Sequence, residues 1–160
     1  MLVGLVVVGL WYTAGAQKYS VNTAMWPPGA SWTSMEDVQL YLWLNSNLPK
    51  NTKVMDFSGS QNNEIIGMNM DNCDWCAGNI EFRKGFLNKT AGQTYAFLKH
   101  EGYEYLILDG GRSVKAFEAE SGSLENAQKV ISEKFQEYLT AEDKFRGVYQ
   151  NQGGVVLKVS

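Results

Sequence analysis

Cys73-Asp74-Trp75-Cys76 holds the only two cysteines of the chain, and a C-x-x-C spacing admits several chemistries. As a disulfide, the pair suits an extracytoplasmic compartment and would pin its loop. Left unpaired, the two would be ordinary thiols. A thioredoxin-like redox pair wants a strand directly upstream and a helix start at the motif, where the helix dipole lowers a thiol pKa. The nearest clear strand pattern, however, ends at Phe57. A zinc site needs two more ligands, and the chain has one histidine. Cys73 and Cys76 are therefore a candidate disulfide, with the thiol, redox and metal readings open beside it.

Two acids stand where ligands often bind. Asp56 falls at the end of the first strand pattern and Asp109 at the end of a second, Tyr103 to Leu108. In an open parallel sheet the carboxyl ends of the strands border the ligand crevice. Asp56 and Asp109 are thus candidate crevice residues, able to meet a metal or sugar hydroxyls. The plainer explanation is that Asp favours strand ends because its side chain makes turns, and the same holds for Asp71 and Asp74. His100 ends a helix pattern just before Gly102, the ordinary place for a histidine that meets the last carbonyls. No serine or cysteine is placed as its partner by a triad-like motif. Gly110-Gly111 is followed by neither G-x-G-x-x-G nor G-K-[ST], so it is not a phosphate loop. Asn88-Lys89-Thr90 is an N-x-[ST] sequon, making Asn88 a candidate glycosylation site if the domain is exported. No catalytic set, metal site or cofactor is implied.

The elements that must position these residues follow from periodicity. Thr33 with Glu36 opens a helix as a capping box; Met35, Val38, Tyr41, Leu42 and Leu44 or Leu48 form its apolar face, and Pro49 ends it. Thr52 to Phe57 reads as a strand. Ser58 to Lys89 has no firm period: Glu64 to Met70 reads as a short helix or strand, Ile80 to Phe82 as a short strand. Thr90 with Gln93 opens a helix through His100, closed by Gly102. Tyr103 to Leu108 is a buried strand, with Asp109-Gly110-Gly111 as the turn after it. Ser123 caps a long helix with Leu124, Ala127, Ile131, Phe135 and Tyr138 on its face. Phe145 to Gln150 and Val155 to Val159 are strands joined through Asn151-Gln152-Gly153-Gly154. The order predicts an α/β sandwich with a mostly parallel central sheet and an antiparallel hairpin at its C-terminal edge.

Ahead of the domain, Leu2 to Ala16 carries no charge. As a helix it would span roughly 22 Å, short of the ~30 Å hydrocarbon core. It reads as the end of a longer transmembrane helix, with Trp11 and Tyr12 at headgroup level. An export signal cleaved near Ala14-Gly15-Ala16 lacks its positive n-region, and a buried core element is the third option. Residues 1–17 are thus a membrane segment or export signal, 18–33 a Trp- and Pro-containing linker, and 34–160 the soluble domain. A formal net charge of −3, a pI near 5.2 and the absence of any Lys/Arg run argue against nucleic acid as partner. The expected location is membrane-anchored, with the domain extracytoplasmic and lipid meeting the N-terminal segment.

The succession Glu36-Asp37-Val38, Tyr41-Leu42-Trp43-Leu44 and Asn47-Leu48-Pro49-Lys50-Asn51-Thr52-Lys53-Val54 resembles the junction between the last membrane helix and the soluble domain of polytopic, archaeal-type GT-C glycosyltransferases. Gly102 to Leu108, Phe145 to Asn151 and Gly154 to Leu157 extend the resemblance from about Met35 to the end. In the oligosaccharyltransferase branch the corresponding first strand runs into a W-W-D-Y-G motif that recognises the acceptor sequon. Here that place reads Val54-Met55-Asp56-Phe57-Ser58-Gly59; only Asp56 and Gly59 match and both tryptophans are gone, so sequon binding is not carried over. The family's catalytic acids lie in loops of the membrane portion. The resemblance implies a non-catalytic accessory domain that covers the active site or helps hold a glycan or protein acceptor. The alternatives are a singly anchored cell-surface binding or assembly protein presenting residues 58–88, and an anchored thiol-disulfide protein using Cys73 and Cys76.

Overall fold

The computed structural model describes residues 35–56, 58, 66–67, 70–71 and 76–160. By its internal contacts the chain separates into residues 1–33 and 34–160. The expectations for the hydrophobic segment, the linker, the Thr33 cap, Phe57, Cys73, Asp74 and most of Glu64 to Met70 lie outside the described residues. Among the described residues, no helix is long and apolar enough to cross a membrane.

Helix α1 (Met35–Asn47) leads into strand β1 (Thr52–Asp56). After the two-residue strand β2 (Met70–Asp71) come α2 (Ala77–Arg83), a single 3-10 turn (Phe86–Asn88) and α3 (Ala91–Glu101). Strand β3 (Tyr105–Asp109) is followed by three helices, α4 (Gly110–Ala116), α5 (Glu118–Ser121) and α6 (Leu124–Thr140). The hairpin of β4 (Phe145–Asn151) and β5 (Gly154–Val159) completes the chain.

The strand order is β2-β1-β3-β5-β4. β1 runs parallel to β2 and β3, whereas β5 is antiparallel to both β3 and β4. The fold is α/β as the pattern predicts, but the sheet is mixed rather than mostly parallel. A two-residue turn can join only antiparallel strands, and here the packing of β5 against β3 places β5 in the slot beside it, with β4 outermost. The strand that sits directly against β3 on this side is therefore antiparallel to it.

Alternation along the strands splits the core in two. Val54, Ile107 and Val156 point to one face, where Leu40, Tyr41 and Leu44 of α1 cover them. Met55, Leu106, Leu108, Val155 and Leu157 point to the other, under Phe82, Phe86, Leu98, Ile131 and Tyr138. The apolar face of α1 is as expected at Tyr41 and Leu44, both buried; it departs at Met35 and Leu42, which are exposed, and at Asp37 and Leu40, which are buried instead. Ile80 to Phe82 is helical, not a strand; three apolar residues are too short a run to carry a period. Asp109-Gly110-Gly111 starts a helix instead of making a turn, because the Asp109 carboxylate caps it by accepting from the Arg112 amide at 2.9 Å.

Other local readings match. Thr90 and Gln93 form a reciprocal capping box, and Gly102 ends α3 at φ 76°. Ser123 caps α6 through the Asn126 amide, and Ala127, Ile131 and Tyr138 of its expected face are buried, whereas Phe135 is half-buried and Leu124 is exposed.

Candidate functional site

Asp56 and Asp109 end neighbouring parallel strands, two and four residues beyond Val54 and Tyr105, which sit in register. Each lies on the strand face that meets α1, since it falls an even number of residues from Val54 or Ile107. There Tyr41 joins them: its hydroxyl is 2.9 Å from Asp56 Oδ2 and 3.1 Å from Asp109 Oδ2. All three residues have no exposed surface. Asp56 also accepts from the Ser58 amide at 2.8 Å, and its main-chain carbonyl accepts from Arg83 Nη2 at 3.3 Å. The Arg112 guanidinium stands 3.9 Å from Asp109 Oδ2.

Burial pushes the Asp109 carboxyl from 3.8 up to about 7. The Arg112 amide opposes that rise, the charges of Asp56 and Asp37 add to it, and the Tyr41 hydroxyl opposes it. A phenol has one proton and cannot donate to two carboxylates at once. Tyr41 lies within hydrogen-bond distance of both, and the raised Asp109 is the carboxyl that more readily holds a proton. When Asp109 is protonated the three form a short relay, Asp109 donating to Tyr41 and Tyr41 to Asp56.

Asp37 is the third buried acid, from the first turn of α1. It sits against the β4–β5 turn, where a Cβ on Gly153 would fall 2.6 Å from Asp37 Oδ1 and 2.7 Å from its amide nitrogen. A Cβ on Gly154 would run into the Leu108 carbonyl. The two glycines are therefore needed for close approach. Asn151 locks the same corner: its Nδ2 donates to the Glu36 carbonyl at 2.7 Å, and its Oδ1 accepts from the amides of Gly153 and Gly154. Gly110 donates its amide to the Gly153 carbonyl at 2.8 Å.

On this glycine frame opens a groove of about 510 Å³, within the range of small-ligand sites. α4 supplies Gly110, Gly111 and Val114; α6 supplies Leu124, Gln128, Ile131, Ser132, Phe135, Gln136 and Leu139; the hairpin supplies Gln150 through Val155. No lining residue is ionisable. Neither Asp56 nor Asp109 lines the groove; the structure brings the two predicted acids together but buries both.

The remaining sequence candidates fall elsewhere. Cys76 is the exposed residue preceding α2, with φ −65° and ψ 135°, and among the described residues no cysteine is free. β2 ends at Asp71, so a strand does stand immediately before the C-x-x-C and a helix immediately after, a layout hidden in the sequence because β2 is two residues long. His100 is exposed and meets only its neighbour Glu101, at 2.9 Å. Asn88 is exposed at the end of the 3-10 turn, whereas the Thr90 hydroxyl of its sequon is occupied in the α3 cap. Among the described residues, no group of three or more His, Cys, Asp or Glu side chains is arranged to hold a metal ion.

The sequence reading misses Tyr41 as the hub, Asp37 as a buried acid and the glutamines of the groove. A signal existed for each. Asp37 is four residues before Tyr41 and therefore on its helix face. Gln128, Ser132 and Gln136 recur every four residues on a helix otherwise rich in Glu and Lys. No family model, curated protein or solved structure matches the chain.

Proposed function

We propose that residues 34–160 form a non-catalytic, extracytoplasmic binding domain, an accessory part of a membrane protein resembling the GT-C glycosyltransferases, and that its groove helps hold acceptor. The observation that carries the binding half is the groove: a concave, uncharged surface on a frame of four glycines, with exposed amide side chains facing it. Polar groups converging on an apolar concavity are the usual make-up of a ligand site. The Asp56–Tyr41–Asp109 relay has no surface on which to meet a substrate, so its role here is to hold β1, β3 and α1 in register. The membrane half rests on the uncharged Leu2 to Ala16 and on the resemblance from Met35 onward. The Cys73–Cys76 disulfide belongs to the same reading, because such bridges persist outside the cytoplasm.

The test is topology in native cells. The gene product is expected in the carbonate-washed membrane fraction, its domain cut by protease added outside intact cells, with no thiol labelled by an impermeant reagent until reductant is added. Recovery in the cytosolic fraction, or two reactive thiols without reduction, would contradict the proposal.

A further inference from the structure

The groove between α4, α6 and the β4–β5 turn is built to exclude charge. Along α6 the exposed and half-exposed positions away from the groove carry Glu125, Lys129, Glu133, Lys134 and Glu137, whereas those turned into it are Gln128, Ser132 and Gln136. The opposite wall continues the pattern with Gln150, Asn151 and Gln152. A helix with a charge-rich surface that becomes neutral only where it lines a concavity offers an ionic ligand nothing to pair with.

The side chains available for recognition can be separated from those already used. Asn151 is consumed by Glu36, Gly153 and Gly154. Gln128, Ser132, Gln136, Gln150 and Gln152 are exposed, and none of their side chains is hydrogen-bonded within the described residues. Each glutamine offers two donor hydrogens and an acceptor oxygen, and the serine offers one donor hydrogen and acceptor lone pairs. On the α6 wall the main-chain groups are bound within the helix, and the Gly110 amide is bound to the Gly153 carbonyl, so recognition on that wall falls to side chains. A ligand made of hydroxyl groups, each both donor and acceptor, matches the free amides. Between the amides lie Phe135, Leu139, Ile131 and Val114, an apolar floor suited to the C–H face of a sugar ring.

We infer that this groove is a binding site for uncharged oligosaccharide, with Gln128 and Gln136 on one wall and Gln150 and Gln152 on the other reading hydroxyls, and Phe135 beneath the ring. The inference rests on the groove being the domain's binding surface, but not on the membrane assignment.

The full 160-residue chain, in a detergent free of sugar, is titrated with mannotriose, maltotriose and chitotriose, with sialyllactose as the anionic control and a neutral hexapeptide as the competitor class. Amide chemical shifts report the contact. At least one neutral trisaccharide is expected to shift resonances of Gly110, Gly111, Phe135 and Gln150 to Gly154, and to bind more tightly than sialyllactose. Gln128→Ala and Gln136→Ala, at exposed positions where the fold does not depend on the amide, are each expected to weaken binding about three- to tenfold, as loss of one hydrogen bond does. Unchanged amide spectra elsewhere confirm that each variant is folded. No neutral sugar binding at tens of millimolar, shifts confined to another surface, affinity untouched by both substitutions, or preference for the hexapeptide would each overturn the inference. Saccharide binding by a protein found in the cytosol would leave this site standing and remove the membrane proposal; a membrane protein whose groove ignores sugars would do the reverse.

Discussion

At the residue scale, the chain places three carboxylates, Asp37, Asp56 and Asp109, in the interior around α1. Burial first, and then the neighbouring charges of Asp56 and Asp37, raise the Asp109 carboxyl to about 7. In the unfolded chain the same carboxyl titrates near 3.8. Between those values the folded state binds the proton more tightly, so this group's contribution to stability is greatest below about pH 4, declines as pH rises, and is gone above about pH 7. The slope for one site cannot exceed about 1.4 kcal/mol per pH unit. Asp109→Asn keeps an oxygen for the Arg112 amide and supplies a permanent donor to Tyr41. Urea unfolding is expected to find this variant more stable than the parent at pH 8, with the gap narrowing toward pH 4; a constant gap across that range would contradict the shared-proton account. That both acids belong at strand ends was legible, because turns and N-caps leave a sequence mark. Their burial was not, since it depends on Tyr41 crossing over from a helix whose buried face was read without Asp37 and Leu40.

At the element scale, the hairpin turn is the piece on which the site depends. Gly153 lets the turn lie against the first turn of α1, and Gly154 lets β5 begin beside the Leu108 carbonyl. Gly153→Ala would drive a Cβ into the Asp37 backbone, and overpacking of this kind costs about 1–3 kcal/mol. Thermal unfolding is expected to show that loss; a neutral outcome would mean that α1 slides freely on the turn. The capped helices α3 and α6 were readable from Thr90, Gln93, Gly102 and Ser123, because caps act within a few residues. α4 was not. Its first two residues are glycines, poor helix formers, and the Asp109 cap in front of them looks like the start of a turn. The mixed sheet escaped for a different reason: a hairpin announces its own antiparallel pair, but which of its strands enters the sheet is decided by packing across 40 or more residues, such as the pairing of Leu106 with Leu157.

At the scale of the whole molecule, an α/β sandwich with one helix on one face and several on the other leaves the groove at the end of the sheet where α4 and the β4–β5 turn meet. The class of fold was visible in the alternation of strand and helix periods; the groove was not, because α4 was unseen and a concavity belongs to no single element. As proposed above, this molecule is the binding part of a larger membrane protein. The most direct measurement is the DNA sequence upstream of Met1 in its native genome. An open frame running back through many hydrophobic segments is the predicted result. A stop codon and ribosome-binding site immediately before Met1 would contradict it, leaving a short anchored protein whose groove serves some other assembly at the cell surface.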